Sequence, residues 1–194
     1  MSDLAAAIER SRKLAVWIAD QVGDRDLSSE TKARVAASLI SLCMWHHSSI
    51  SQLYALGRHA SGLALIRSMI DCFARAMWAW QLATEERIAG FISGDDPPST
   101  LNIMKNLELS GVFDVGDLAP HFVALWPVVC DFNHGGGRMV VRHLTSTDIG
   151  PDFDEEDLRQ SLNIADFIVL GAACALADIM QDPALGEIFL ARLL

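Results

Sequence analysis

The sequence predicts an all-α protein: a single helical domain over residues 1–194, with about six to eight helices around three or four long ones. Three observations lead there. All six prolines fall at or after Pro97, so the first half lacks the strongest helix breaker. A single Tyr and few β-branched runs disfavour a sheet. Apolar residues recur at helical spacing, and neither an internal repeat nor a strand–helix alternation interrupts them.

Leu4 to about Gln21 forms an amphipathic helix with Leu4, Ile8, Ala15 and Ile18 near one face, ended by Gly23-Asp24. Ser28 or Ser29 caps the next helix, which runs to about Leu56 and has Glu30 in position to favour its N-terminal dipole. A third helix spans roughly Arg58 to Ala83. Its apolar residues, Leu63 to Trp80, surround most of the circumference, the pattern of a buried central helix. Shorter helices fit Glu85–Ile92, Ser99–Leu109 and Leu118–Cys130, with Pro98 placed for a helix start.

The Asp131–Gly137 segment breaks regular structure, and Arg138–Leu144 forms one or two turns. Asp152-Phe-Asp-Glu155 reads as a capping start for a long helix to about Met180. That helix's small interior, Gly171-Ala-Ala-Cys-Ala175, lets a neighbour approach closely. Asp182-Pro183 opens a short terminal helix. The five tryptophans, Trp17, Trp45, Trp78, Trp80 and Trp126, have apolar neighbours and are assigned to the core.

Composition narrows the function. The chain carries 15 Lys and Arg against 25 Asp and Glu, a net charge of −10, which argues against a broad duplex-DNA footprint. Half of it is hydrophobic and its mean hydropathy is +0.26, so disorder is excluded. The four cysteines form no C-x-x-C, so neither a zinc knuckle nor a redox pair is expected, and a reducing compartment fits. The first residues lack a signal peptide's apolar core. Val35–Gly57 is free of charge but holds two His, Gln52 and five Ser, and the apolar run Phe167–Ala177 is short. A cytoplasmic protein without a membrane span is the expectation.

Two polar clusters stand out. Arg67, Asp71 and Arg75 lie at i, i+4 and i+8 on the apolar third helix, forming one stripe that drifts by roughly forty degrees per step. Charges there must be paired, hydrated or used, because a stranded one costs several kcal/mol. The stripe is therefore either a structural Arg–Asp–Arg ladder that holds neighbouring helices or a dimer seam in register, or a ligand site. His46 and His47 flank the apolar stripe of the second helix. Adjacent residues point about 100° apart, so at most one of them faces Arg67.

The second cluster is Asp131-Phe-Asn-His-Gly-Gly-Gly-Arg-Met-Val-Val-Arg-His143. Gly135, Gly136 and Gly137 can turn backbone N–H groups toward an anion, and Arg138 and Arg142 add positive charge. His134 and His143 can donate or transfer protons near neutral pH. A phosphate or carboxylate is the ligand this chemistry suits, unless the loop is only a connector. His134-Gly-Gly-Gly137 is spelled like a lipase oxyanion loop, but no G-x-S-x-G follows it. Asp131-x-x-His134 has metal-ligand spacing, and only Asp71, His46 and His143 are available to complete a site, so no metal or other cofactor is expected.

Arg138-Met-Val-Val-Arg-His143 resembles the R-x4-H motif of HEPN domains, helical bacterial proteins that often act as metal-independent RNases. Met139 stands where that family commonly has a polar residue. Ala64-Leu-Ile-Arg-Ser-Met-Ile-Asp-Cys-Phe-Ala-Arg-Ala-Met-Trp78 more broadly resembles a family of bacterial helical proteins with a central ALxRxxxExxxRxxW helix. Asp71 replaces the usual glutamate there. His134-Gly-Gly and Pro151-Asp-Phe-Asp-Glu-Glu-Asp-Leu158 match that family's later segments, and the likeness spans about Leu56 to Leu162. That family has no established activity.

Two functions follow as expectations. In one, the chain is a HEPN-like phosphate- or RNA-recognising protein, a metal-independent RNase of a toxin or defence system. His143 or His134 activates a ribose hydroxyl there, Arg138 and Arg142 stabilise the phosphorane, and Arg67 and Arg75 hold flanking phosphates. In the other, it is a non-enzymatic homodimeric module with a structural ladder and at most a small anionic ligand.

Overall fold

The computed structural model describes residues 2–111, 118–144 and 148–193, without the side chains of 118–123. Nine α-helices are present among them: α1 (Asp3–Val22), α2 (Thr31–Ala55), α3 (His59–Met77), α4 (Glu85–Ile92), α5 (Thr100–Leu109), α6 (Leu118–Asn133), α7 (Gly137–Val141), α8 (Glu155–Ile179) and α9 (Pro183–Leu193). No strand occurs among the described residues beyond the isolated bridge between Leu144 and Ile149. The protein is all-α, as expected. The count exceeds eight because the glycine loop closes into the five-residue α7.

Local chemistry sets the ends. Asp154 caps α8, its carboxylate accepting from the N–H groups of Glu156 (2.8 Å) and Asp157 (3.3 Å). Asp182 does the same for α9, accepting from Leu185 N–H at 3.0 Å. Two expected starts move. The cap position of α2 is Glu30, with no side-chain cap, because the Ser28 hydroxyl spends itself on Glu30 N–H. Ser99 caps α5, which leaves Pro98 outside the helix. The α2–α3 hairpin turns through Gly57 at φ +69°, with Arg58 N–H bonded to Leu53 C=O and Gly57 N–H to Tyr54 C=O. This Schellman closure requires the left-handed conformation that glycine adopts without Cβ strain.

The third helix does not run to Ala83 as a single α-helix. It passes at Trp78–Leu82 into a π-helical turn, closed by Ala83 N–H to Trp78 C=O at 2.9 Å. The wider turn accompanies the burial of Trp78 and the hydrogen bond from Trp80 Nε1 to Asp178 on α8 (2.6 Å). Trp45 overturns its assignment to the core, being 71% exposed on the outer face of α2. Helical spacing alone does not say which face of α2 meets α3 and α8.

α8 packs against α1, α2, α3 and α9. Its small residues admit α3: a Cβ on Gly171 would lie 3.6 Å from the Phe73 ring. Among the described residues, α8 alone is long and apolar enough to cross a membrane, and 61% of its most apolar window is buried inside the bundle. A core helix produces that pattern. Neither Asp166 nor Asp178, which bound the apolar run, is left unpartnered.

Candidate functional site

α3 presents Arg67, Asp71 and Arg75 along one side, all half-buried. Arg67 Nε lies 3.7 Å from Asp71 Oδ2. The other Asp71 oxygen accepts from the hydroxyl of Thr100, the first residue of α5. Asp71 thus ties α3 to α5 and spends its acceptors on Arg67 and Thr100. No ion pair joins it to Arg75 among the described residues, so the three-membered ladder is a two-membered one. The Nε atoms of Arg67 and Arg75 are both buried and without a hydrogen-bond acceptor.

α6 covers this side of α3. The Arg67 guanidinium stands 5.4 Å from the ring centroid of Trp126, a cation–π distance. It also donates from Nη1 to Nε2 of His134, just beyond the end of α6. A guanidinium only donates, so Nε2 accepts and the neutral ring carries its proton on Nδ1. His134 thereby joins the α3 stripe through its only lone pair.

The glycine loop is occupied by the chain's own acid. Gly135 turns at φ +62°, Gly136 N–H donates to Asp131 C=O (2.8 Å), and Arg138 N–H donates to Asp131 Oδ2 (2.8 Å). The Asp131 carboxylate sits so close that a Cβ on Gly136 would lie 2.0 Å from its Oδ1. Gly136→Ala therefore displaces Asp131 and costs about 1 kcal/mol, as loss of a helix cap does. Urea denaturation measures this; unchanged stability would show that the carboxylate swings away freely.

The remaining site residues go elsewhere. Arg138 is exposed. Arg142 forms an ion pair with Asp157 on α8, and its guanidinium stands 5.6 Å from the Phe132 ring. Buried Met139 anchors the short helix between them. His143 meets Phe153 edge-on at 5.5 Å, in a chain of rings continuing through His59 to Tyr54, whose hydroxyl bonds Ser161 at 2.7 Å. Burial lowers the pKa of His59. Arg67, Asp71 and His134 come together, whereas Arg142 pairs with α8 and His143 packs on Phe153 just ahead of that helix. No group of three metal-ligating side chains occurs among the described residues.

Sequence reasoning missed Thr100 and Trp126, which only the packing of α5 and α6 brings to the stripe. It also missed a buried polar cluster across α1, α2 and α8. Ser11 donates to Asp166 Oδ1 (2.6 Å), and His47 Nε2 lies 2.8 Å from the same oxygen and 3.1 Å from Ser11 Oγ. Asp166 inside the apolar run Ile164–Leu170 was the available signal, by the rule that singled out Arg67.

Residues 40–191 match the family described as a family of unknown function, DUF6988. The chain belongs to this family. No curated protein and no solved structure matches it. DUF6988 covers the chain from within α2 to α9, so the α3 stripe, His134, the glycine loop, His47 and Asp166 all lie inside the family region. Ser11 precedes it.

Proposed function

We propose that this protein is a helical phosphate-recognition module whose ligand is RNA, with Arg67 and Arg75 as the phosphate-binding cations. The observation that carries this reading is the pair of half-buried guanidiniums whose Nε groups lack an acceptor, on a chain of net charge −10. Partly desolvated donors without acceptors are unfavourable, and a phosphate oxygen supplies the strong, charge-assisted acceptor they lack. Eight residues of helix separate the two positions by about 12 Å, which favours two non-adjacent phosphates of one strand over one small anion. Trp126 and Nδ1–H of His134 lie beside Arg67 to contact a base or a further oxygen.

Recognition is better supported than turnover. The lone pair of His134 is committed to Arg67, and Arg142 is neutralised by Asp157. In the HEPN-like RNase form of this reading the proton-accepting role therefore falls to His143. RNA cleavage that persists in His143→Ala would remove that form.

A second reading draws on Asp71, which bridges Arg67 to Thr100 as a structural residue would. In it the stripe stabilises the bundle, and the protein acts as a homodimeric module. Calorimetric titration with a short 5′-phosphorylated oligoribonucleotide separates the two. Arg75→Ala should weaken binding about tenfold, the effect of losing one charge-assisted hydrogen bond, with little change in stability. Affinity that is unaltered in Arg75→Ala would leave the structural reading in place.

A further inference from the structure

A cleft of about 410 Å³ opens between α1 and α2 on a different face of the bundle, sharing no residue with the α3 stripe. Val16 and Ile18 of α1, Met44 and Trp45 of α2 and Val169 of α8 make its walls largely apolar, with His47 among them. Trp45 and Val16 are 71% and 62% exposed, so the mouth is open to solvent.

His47 is wholly buried, and its two nitrogens differ. Nε2 faces two acceptors: Asp166 Oδ1 at 2.8 Å, and the oxygen of Ser11, whose own proton goes to Asp166. Nε2 therefore carries a proton, and the neutral ring keeps its lone pair on Nδ1. That Nδ1 is buried and has no hydrogen-bond partner. A buried acceptor without a donor is costly, and a molecule in the cleft that His47 lines removes the cost by donating one hydrogen bond to it.

We propose that this cleft binds a small, mostly apolar molecule carrying one hydroxyl, which donates to His47 Nδ1 while its body packs against Met44, Trp45 and Val16. The Asp166 carboxylate holds the imidazole in the accepting tautomer and orients it, as outer-shell carboxylates do for functional histidines. The exposed Trp45 ring and the Met44 thioether favour an aromatic body, and the volume suits one or two rings. The ligand class is thus a phenol or a related aromatic alcohol.

Two isomers isolate the hydrogen bond. 4-Ethylphenol donates one, whereas 4-methylanisole has the same atoms and no donor. By calorimetry on the full chain, 4-ethylphenol should bind about tenfold more tightly. His47→Gln keeps an amide that reaches Asp166 and removes the Nδ1 acceptor, so this preference should vanish. Val16→Trp, at an exposed position, should block both compounds while leaving the circular dichroism spectrum unchanged. In wild-type protein labelled with ¹⁵N-histidine, 4-ethylphenol should shift the His47 Nδ1 resonance and 4-methylanisole should not, a readout independent of whether His47→Gln folds. Equal affinities, no binding of 4-ethylphenol, or an Nδ1 resonance that it does not move would each overturn the proposal.

Discussion

Asp166→Ala is expected to lower the free energy of unfolding by about 3–5 kcal/mol, the range for removing one partner of a buried charged network. The carboxylate accepts from Ser11 at 2.6 Å and His47 at 2.8 Å, and Arg10 Nε lies 3.8 Å from its second oxygen. Both hydrogen-bonding partners are fully buried, so neither finds water when the carboxylate goes. The network joins α1, α2 and α8, so the loss falls on the whole bundle and should lower the urea midpoint at constant m-value. Asp166→Asn keeps one oxygen acceptor and should cost less. A loss below about 1 kcal/mol in Asp166→Ala would mean that Ser11 and His47 satisfy each other, and would also weaken the tautomer argument for His47.

Phe189→Ala should cost about 3–5 kcal/mol, as deletion of a fully buried aromatic side chain does. Phe189 has no exposed surface and meets Trp17 edge-on at 5.7 Å and 84°. The Arg192 guanidinium stands 4.4 Å from the Trp17 ring on the same helix's approach to α1. Phe189 and Leu185 are the buried residues of α9, so the cavity would loosen that helix first. Hydrogen exchange should accelerate throughout α9 before the rest of the protein opens. Phe189→Leu fills most of the volume and should cost under about 1.5 kcal/mol. Equal stability of Phe189→Ala and wild type would show that α9 contributes nothing to the fold.

Much of this architecture is written locally. Helix starts were legible where a short polar side chain has a nearby N–H to accept from, as at Asp182 and in the Asp152–Glu155 segment, whose Asp154 is the residue that caps α8. The choice of Arg67, Asp71 and Arg75 as anomalous residues was equally legible, because charge at helical spacing on an apolar helix is visible without coordinates. The π-turn at Trp78 was not. It accompanies contacts between Trp80 and Asp178, ninety-eight residues away, which no local periodicity encodes. The glycine triplet reads as an anion-binding loop, and the fold supplies an anion from within, Asp131. A nest of N–H groups does not specify where its acceptor comes from.

The sequence by itself determined the helical class, the approximate reach of most helices and the residues whose polarity demands a partner. Hydrophobic period, proline placement and capping chemistry act over a few residues, so they can be read in order along the chain. Only the tertiary structure decided the partners: His134 beside Arg67, Arg142 with Asp157, Trp45 turned to solvent, and Ser11, His47 and Asp166 brought together from three helices. Those pairings depend on how helices rotate and cross. That geometry is set by side-chain packing over the whole core, so a single hydrogen bond or ion pair is its consequence rather than its cause.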